Sequence, residues 1–486
     1  MHLYRYRSVK SAIRDIENGA FHFATKDELN DPMEGYVNVY WKGDKPAWEG
    51  LFRNYACSLL YAITNYLLAK DESVLWEKTL LSDIHAFDNV PLGDLLRKVG
   101  TDVLADKGFN HIISIYGGKE LKCRSEELHL VLQLIHFKAF FTCMKYCKES
   151  CIVIEKDANR ILGRRNMNDL IDQILKQISE QESEIMRESL ASVADNDTID
   201  LLESQMIDFG LQKPGFAYGE GLSDGEASEE EKNGRQLRNW MALYIDFPRM
   251  YMRQLKNAIY PDVGFVCFSG KNDNSVMWGN YSDNHRGVCL IYDAEYNDSE
   301  NGKDAGYYNE FGKICPRRVE YGGDIIERNF FETFGRFTLP QIESWLTGTD
   351  GSLSKCYDIF KDNDHINEWR NQYWEAFKVK NFRKMEAWNY EDEYRIFINN
   401  SFYELVEDDS DNLKKLGMRS SNIKYDMNLL KGVIFGIMTS EYDKVRILKA
   451  LDKQGIADRI EYYQADFDER SQEVVVRRKR SWGKGG

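Results

Sequence analysis

Three short blocks of this chain carry polar residues that could form one reaction site. They are LYRYR at 3–7, CFS at 267–269 and EDEYR at 391–395, and they supply an arginine, a serine and paired glutamates. Each block has the alternation or apolar content of a short strand. An arginine fork holds phosphate, a serine orients a neighbour by hydrogen bonding, and a carboxylate stabilises developing positive charge. The blocks therefore predict a site assembled from three strands.

The order arginine, serine, Glu-x-Glu resembles the Arg–Ser–Glu pattern of ADP-ribosyltransferases. The resemblance implies NAD as the substrate, with Glu393 as the catalytic carboxylate, Glu391 on the acceptor side and Ser269 orienting the glutamate. Breaking the nicotinamide–ribose bond develops positive charge on the ribose, which a nearby carboxylate stabilises. Period-2 alternation would place Glu391 and Glu393 on one strand face. The usual Ser-Thr-Ser is Cys267-Phe268-Ser269 here, so one hydroxyl is kept.

Two cations and two aromatic rings are the predicted NAD contacts. Arg5 and Arg7 would hold a phosphate or a ribose of the dinucleotide. Trp278 and Tyr281, three residues apart on one face of a predicted helix, could stack on a nicotinamide or adenine ring. Packing on the sheet is the alternative role for both rings.

Two alternatives to NAD chemistry stay open for the charged residues. Arg5, Glu393 and Arg395 could form an ion-pair set that holds strand ends together in a non-catalytic ligand-binding or partner-binding domain. A metal-dependent nuclease could use Asp262 and residues 391–393 with Lys384, although the acid-x-Lys arrangement of such sites is missing. The net charge of −15 also disfavours nucleic-acid binding.

Two further polar groups are interpreted as structural. Asn30, Asp31 and Glu34 follow a capped turn, where such side chains usually satisfy local backbone groups. Cys143, Cys147 and Cys151 are spaced by four residues on a predicted helix, without the ligands that would complete a zinc site. We therefore predict no metal site.

Five short sequence blocks, in four stretches of the chain, also resemble a bacterial family known only as a domain of unknown function. Its members open with LYKYR and continue to FNDPFE, and the corresponding segments here are LYRYR at 3–7 and LNDPME at 29–34. The resemblance resumes at CFSGKNDNSVMWGNY, at WNYEDEYRI and at GVIFG. It implies a shared core for the two ends of the chain. A role as a bacterial toxin or phage-defence effector is an expectation from the systems in which such families occur.

The composition is typical of a soluble globular protein, with 43% hydrophobic and 29% charged residues among 486. We expect no membrane span and no secretory signal, because apolar runs are short and the N-terminus is polar. The nine cysteines lack a disulfide framework, which favours a reducing cytoplasm.

The distribution of strand and helix patterns predicts an α/β (α+β) protein with a split core. Residues 1–47 and 256–480 would form one sheet-containing domain, interrupted by a helical insertion at 48–255. The Arg–Ser–Glu resemblance implies an ADP-ribosyltransferase-like fold for this domain. Within the insertion, 219–234 is predicted to be a mobile acidic loop, and 481–486 a frayed basic tail. The predicted function is an NAD-cleaving ADP-ribosyltransferase or NAD hydrolase with an unidentified acceptor. The insertion would receive a protein trigger.

Overall fold

The computed structural model describes residues 1–69, 83–150, 183–194, 242–295, 306–308, 313–399 and 421–479, except 32, 119, 261, 262 and 336, together with 80, 173, 176, 177 and 197. The predicted acidic loop at 219–234 and the tail at 481–486 lie outside the described residues. The described chain combines helices with a large mixed sheet, which confirms the α/β class.

The strands of the described chain are β1 His2–Arg7, β2 Ala20–Phe23, β3 Asn38–Tyr40, β4 Val263–Ser269, β5 Val288–Asp293, β6 Gly306–Tyr308, β7 Lys313–Cys315, β8 Arg317–Arg318, β9 Glu320–Tyr321, β10 Glu327–Asn329, β11 Arg383–Lys384, β12 Glu393–Asn399, β13 Ser421–Lys424, β14 Leu430–Phe435, β15 Glu461–Asp468 and β16 Glu473–Arg478. Eight of them form one sheet in the order β16-β15-β14-β5-β1-β4-β12-β8. The strands that carry the three polar blocks, β1, β4 and β12, are consecutive neighbours in this sheet.

The α-helices are α1 Val9–Asn18, α2 Lys45–Ala69, α3 Pro91–Ala105, α4 Lys107–Gly117, α5 Ser125–Glu149, α6 Ser183–Val193, α7 Phe247–Ile259, α8 Ser275–Tyr281, α9 Leu339–Leu346, α10 Asn363–Phe382 and α11 Glu441–Lys453. Short segments of other helix types lie at Lys26–Glu28, Ile84–Phe87, Ala242–Asp246, Phe330–Glu332, Lys355–Phe360, Glu386–Glu391, Met427–Leu429 and Ala457–Arg459. α1 begins at the Ser8 cap, whose hydroxyl accepts from the Ser11 amide, and ends at Gly19 in the left-handed conformation.

The chain divides into two compact units. The sheet-containing unit comprises 1–37, 261–326 and 374–486, and the helical unit comprises 38–260 and 327–373. These boundaries differ from the predicted ones, because 38–47, 256–260 and 327–373 belong to the helical unit. β10 pairs in parallel with β3, and Arg53 of α2 donates to the carbonyl oxygens of α9 residue Ser344 and of Thr347. These contacts attach 327–373 to the helical unit.

The N-terminal strand pairs with strands from far along the chain. β1 runs antiparallel to β5 over its full length, from His2 opposite Asp293 to Arg7 opposite Val288. On its other side β1 pairs with β4. A strand of six residues cannot bury a core alone. β1 instead lies between β5 and β4, both from beyond residue 256, which is the pairing that the split-domain prediction requires.

The two faces of the large sheet differ in what covers them. One face packs on α1 and α11 through an apolar core that includes Leu3, Ile16, Leu290, Val433 and Ile447. The other face carries Tyr6, Cys289 and Ile434, packed against Trp278 of α8. Because side chains alternate along a strand, adjacent residues of β1 belong to different faces.

The helical unit contains two of the three cysteines predicted to form a row. Cys143 and Cys147 are buried on α5, and the Cys143 thiol lies 3.6 Å from the Ala56 carbonyl oxygen of α2. Cys151 lies outside the described residues. Burial raises the pKa of the Cys147 thiol to about 12, which keeps it protonated and poorly reactive at neutral pH.

Among the helices that the structure describes, none combines the length and apolarity needed to cross a bilayer.

Candidate functional site

Ser269 and the two glutamates meet where β4 ends and β12 begins. Glu393 is the residue of β12 directly opposite Ser269. The Ser269 hydroxyl donates to the Glu391 carbonyl oxygen at 2.7 Å and accepts from the Lys271 amide at 3.1 Å. The serine therefore fixes the backbone that carries both carboxylates.

Glu391 and Glu393 do not share a strand, which corrects the prediction from alternation. Glu391 ends the short helix Glu386–Glu391, and Asp392 between the glutamates has a positive φ of 42°. A left-handed residue interrupts an extended strand, so β12 begins only at Glu393. Both carboxylates nevertheless reach the same ammonium group, at Lys384.

Arg5 and Arg7 lie on the sheet face opposite Glu393, so they do not join its site. Tyr4, and not Arg5, is the residue of β1 opposite Ser269. The Arg5 guanidinium lies 3.6 Å from Asp15 of α1, which also accepts from Arg7 at 2.9 Å. Burial lowers the pKa of Arg5 to about 10. Their predicted role in holding NAD at this site is therefore not supported by the geometry.

Trp278 is committed to packing, whereas Tyr281 belongs to the site. Trp278 is fully buried, with its ring edge-on to Tyr6 at 5.1 Å and its indole N–H donating to the Asn272 carbonyl. It cannot stack on a ligand in this position. The half-buried Tyr281 donates its hydroxyl hydrogen to Glu391 at 2.5 Å.

Two cations and a third carboxylate complete a buried charge cluster, defined here as Glu34, Lys384, Glu391, Glu393 and Arg395. Arg395 binds Glu393 through two parallel hydrogen bonds of 2.7 and 2.8 Å. Lys384 lies 2.7 Å from Glu391, 3.1 Å from Glu393 and 3.6 Å from Glu34. Glu34 also forms an ion pair with Arg395. No member is more than 8% exposed.

The sequence identified this cluster only in part. The Glu393–Arg395 pair of the predicted ion-pair set is present, because residues two apart on a strand share a face. For Lys384 the sequence indicates only a role in a possible nuclease site. The sequence predicts turn chemistry for Glu34, a role that Asp31 does fill by accepting from the Met33 amide at 2.9 Å. Nothing local to Glu34 indicates its distant partners.

The three carboxylates of the cluster differ in the direction of their pKa shifts. Burial would raise the pKa of Glu393, but the attraction and hydrogen bonds of Arg395 outweigh it and lower that pKa to about 2. Burial raises the pKa of Glu34 and of Glu391. Burial opposes the charge on Lys384, yet Glu393 and Glu34 hold the pKa of Lys384 above its ordinary value. Glu393 is thus a fixed negative charge, while Glu34 and Glu391 are the groups that retain a proton more readily.

The side of the cluster nearest to solvent is lined by amide and aromatic groups. The exposed Asn30 hydrogen-bonds to Tyr281, which in turn reaches Glu391. Trp388 and Tyr390 of the short helix Glu386–Glu391 are half-buried, and the Trp388 ring centroid is 5.0 Å from the Lys384 ammonium. A molecule that approaches Glu391 would meet this rim first.

The lowered pKa of Glu393 predicts that its contribution to the free energy of unfolding depends on pH in the acidic range. Its folded pKa of about 2 lies below its ordinary value of 4.5, so its stabilisation is complete above the unfolded pKa and is lost as pH falls through the folded one. We expect Glu393→Gln to destabilise the protein less at about pH 3 than at about pH 5. Urea unfolding of both proteins at the two pH values measures this.

A matched control is Glu469→Gln, at an exposed turn residue. It should change the free energy of unfolding by little at either pH. Glu34 and Glu391 carry the opposite sign, because a raised carboxyl pKa gives stability that is lost as pH rises. An equal penalty for Glu393→Gln at both pH values would contradict the assigned ionisation of Glu393.

Among the described residues, no three histidine, cysteine, aspartate or glutamate side chains are grouped as ligands for a metal ion.

Comparisons with known proteins bear on one part of the chain. No curated protein and no solved structure matches it. Residues 277–396, which include Tyr281, Lys384, Glu391, Glu393 and Arg395, match the model of a family described as "Protein of unknown function (DUF2971)". The match supports the resemblance to a domain-of-unknown-function family that the sequence blocks indicated.

Proposed function

We propose that the site of Ser269, Glu391 and Glu393 cleaves the nicotinamide–ribose bond of NAD, as an ADP-ribosyltransferase or an NAD hydrolase. What supports the proposal is the register at the start of β12. Glu393 lies opposite Ser269, and Ser269 bonds the backbone of Glu391 at 2.7 Å. Ser269 and the two glutamates are more than a hundred positions apart in the sequence, yet they are in contact. The Arg–Ser–Glu resemblance implies this contact between the serine and the glutamates.

Each glutamate has a separate task in this proposal. Glu393 stays ionised and stabilises the positive charge that develops on the ribose, which an enzyme does best with a charge fixed in advance. Glu391, whose pKa burial raises, exchanges a proton with the acceptor or the attacking water. Tyr281 orients the Glu391 carboxyl through its 2.5 Å hydrogen bond.

The phosphate contact differs from the one that the sequence indicated. Arg5 and Arg7 share Asp15 on the opposite face, so another cation is needed. Lys271 is exposed and follows Ser269 by two residues, and its amide is held by the Ser269 hydroxyl. We assign the diphosphate contact to Lys271. Because Glu391 and Glu393 are each 3% exposed, NAD must displace part of the rim before it reaches them.

A non-catalytic binding domain is the second candidate, and the bidentate Arg395–Glu393 contact favours it. Both Glu393 oxygens are occupied by Arg395, two residues along the same strand, at 2.7 and 2.8 Å, as in an ion pair with a purely structural role. In that case the charge cluster stabilises the sheet and has no turnover to lose. The effector role and a trigger through the helical unit stay predictions for both candidates.

Nicotinamide release separates the candidates. The wild type should bind NAD and release nicotinamide, and Glu391→Gln should retain binding and lose turnover by about 10²-fold, because the amide cannot exchange a proton. Glu386→Gln, at an exposed glutamate of the same short helix, is the matched control and should retain turnover. A wild type that neither binds NAD nor releases nicotinamide would overturn the proposed function.

A further inference from the structure

A cleft of ≈ 790 Å³ lies in the sheet-containing unit, apart from the buried charge cluster. It crosses β1, β5, β14, β15 and β16 on the sheet face that carries Tyr6 and Trp278. The loop after Ser269 forms one wall, through Asn272 and Asp273. Its volume is within the range of sites that enclose a small organic molecule.

The floor of the cleft is aromatic and aliphatic. Tyr4 and Tyr463 contribute half-buried rings, and Ile291, Val474 and Val476 contribute apolar side chains. Burial raises the pKa of both phenols, that of Tyr463 to about 12, so both stay neutral hydrogen-bonding groups at physiological pH. Such a floor suits a flat ring with polar edges better than a flexible chain.

Two basic side chains, Lys431 and Arg459, lie at one end of the cleft. Gly432, the residue after Lys431, pairs with Glu461 on one side and with Ile291 on the other. Arg459 is two residues before Glu461, so Lys431 and Arg459 lie at the same end of the cleft. Lys431 is 4.0 Å from Asp293 in an exposed and therefore weak pair. The Arg459 guanidinium donates at 2.5 Å to the neutral amide oxygen of Asn428, a contact that leaves its charge uncompensated.

Three carboxylates also line the cleft, and they do not cancel this positive end. Glu461 forms an ion pair with Arg478 at 2.6 Å and accepts from Tyr463. Glu473 begins β16, next to Val474 and opposite Asp468, which is seven strand positions from Glu461 along the neighbouring β15. Asp273 is on the wall beside Asn272, where a carboxylate and an amide can bond the polar edge of a heterocycle.

We propose that this cleft is a nucleotide-binding site. The phosphate of the ligand contacts Lys431 and Arg459, the heteroaromatic base lies on Tyr4 and Tyr463, and Asn272 and Asp273 bond the edge of the base. The inference does not depend on NAD cleavage, because no member of the buried charge cluster lines the cleft.

Calorimetric titration with AMP, adenosine and inorganic phosphate at low ionic strength tests this site. AMP should bind the wild type, and adenosine should bind more weakly because it lacks the charged contact. The double variant Lys431→Ala/Arg459→Ala should weaken AMP binding by about tenfold or more and leave adenosine binding unchanged. Tyr463→Leu should weaken both ligands, because it removes the ring on which the base lies.

Two controls keep the outcome specific. Arg446→Ala/Lys449→Ala removes the same two charges from exposed positions of α11, which packs on the opposite face, and should bind AMP as the wild type does. Glu393→Gln should also bind AMP normally, which separates this site from the proposed NAD chemistry. Absence of saturable AMP binding would overturn the proposal. So would AMP binding unaffected by the double variant, or phosphate binding that matches AMP and ignores Tyr463→Leu, since the cleft would then be an anion patch only.

Discussion

Replacing Arg395 with methionine is expected to lower the free energy of unfolding by about 3–5 kcal/mol. Arg395 has no exposed surface and is paired with both Glu393 and Glu34. Three carboxylates and two cations give the cluster a formal charge of −1, and loss of Arg395 changes it to −2. An uncompensated buried charge costs more than a lost contact, because the freed carboxylates cannot recover their hydration. Chemical denaturation at neutral pH measures the effect.

Arg318→Met is the matched control on the neighbouring strand β8. Its ion pair with Asp392 is 2.7 Å long but lies on a side chain that is 57% exposed, so we expect a loss of about 0–1 kcal/mol. Equal losses for the two arginine variants would contradict a buried, tightly balanced cluster. Partial recovery of Arg395→Met at mildly acidic pH should also occur, because protonation of Glu34 or Glu391 restores the charge balance.

Glu393→Gln is expected to reduce nicotinamide release by about 10²-fold or more if the proposed function is correct. The substitution preserves size and removes the fixed negative charge that opposes the positive ribose. It also costs about 1–3 kcal/mol of stability, because the amide nitrogen meets an Arg395 N–H donor. Turnover should therefore be compared at a temperature where both proteins are folded, as judged by circular dichroism.

Two further variants distinguish a catalytic from a structural Glu393. Arg5→Ala should leave NAD turnover unchanged once stability is accounted for, because Arg5 is on the opposite sheet face. Glu34→Gln reduces the cluster to a formal charge of zero and should retain turnover. If Glu393→Gln and Glu34→Gln reduce turnover equally, the glutamates act only by maintaining the fold, and the catalytic role of Glu393 is wrong.

The local sequence determined where many elements begin and end. The alternation in residues 3–7 and the apolar runs near 264–268 and 432–435 predicted strands that the structure contains, with ends shifted by one or two residues. The Ser8 and Gly19 caps bounded α1 correctly. These signals are local, since a strand face or a helix cap depends on residues only a few positions apart.

Strand register decided which polar residues meet. Alternation indicates that neighbouring residues point to opposite faces, but it does not say which residue of β1 lies opposite Ser269. Because Tyr4 pairs with Ser269, Arg5 lies on the opposite face of the sheet, where it contacts Asp15. The cation that contacts Glu393 on its own face is Arg395. A shift of one residue would have reversed this outcome.

The charge cluster and the cleft depend on tertiary structure in the same way. Glu34 follows a turn whose local chemistry accounts for Asp31 alone, and only the fold brings it to Lys384 and Arg395. The basic end of the cleft joins Lys431, the second residue of β14, and Arg459, which precedes the neighbouring strand β15. The sequence determined the strands, the caps and the Glu393–Arg395 pair through short-range periodicity. Strand register and long-range packing decided which of the remaining polar residues meet in the charge cluster and in the cleft. These contacts depend on residues that are distant in the sequence.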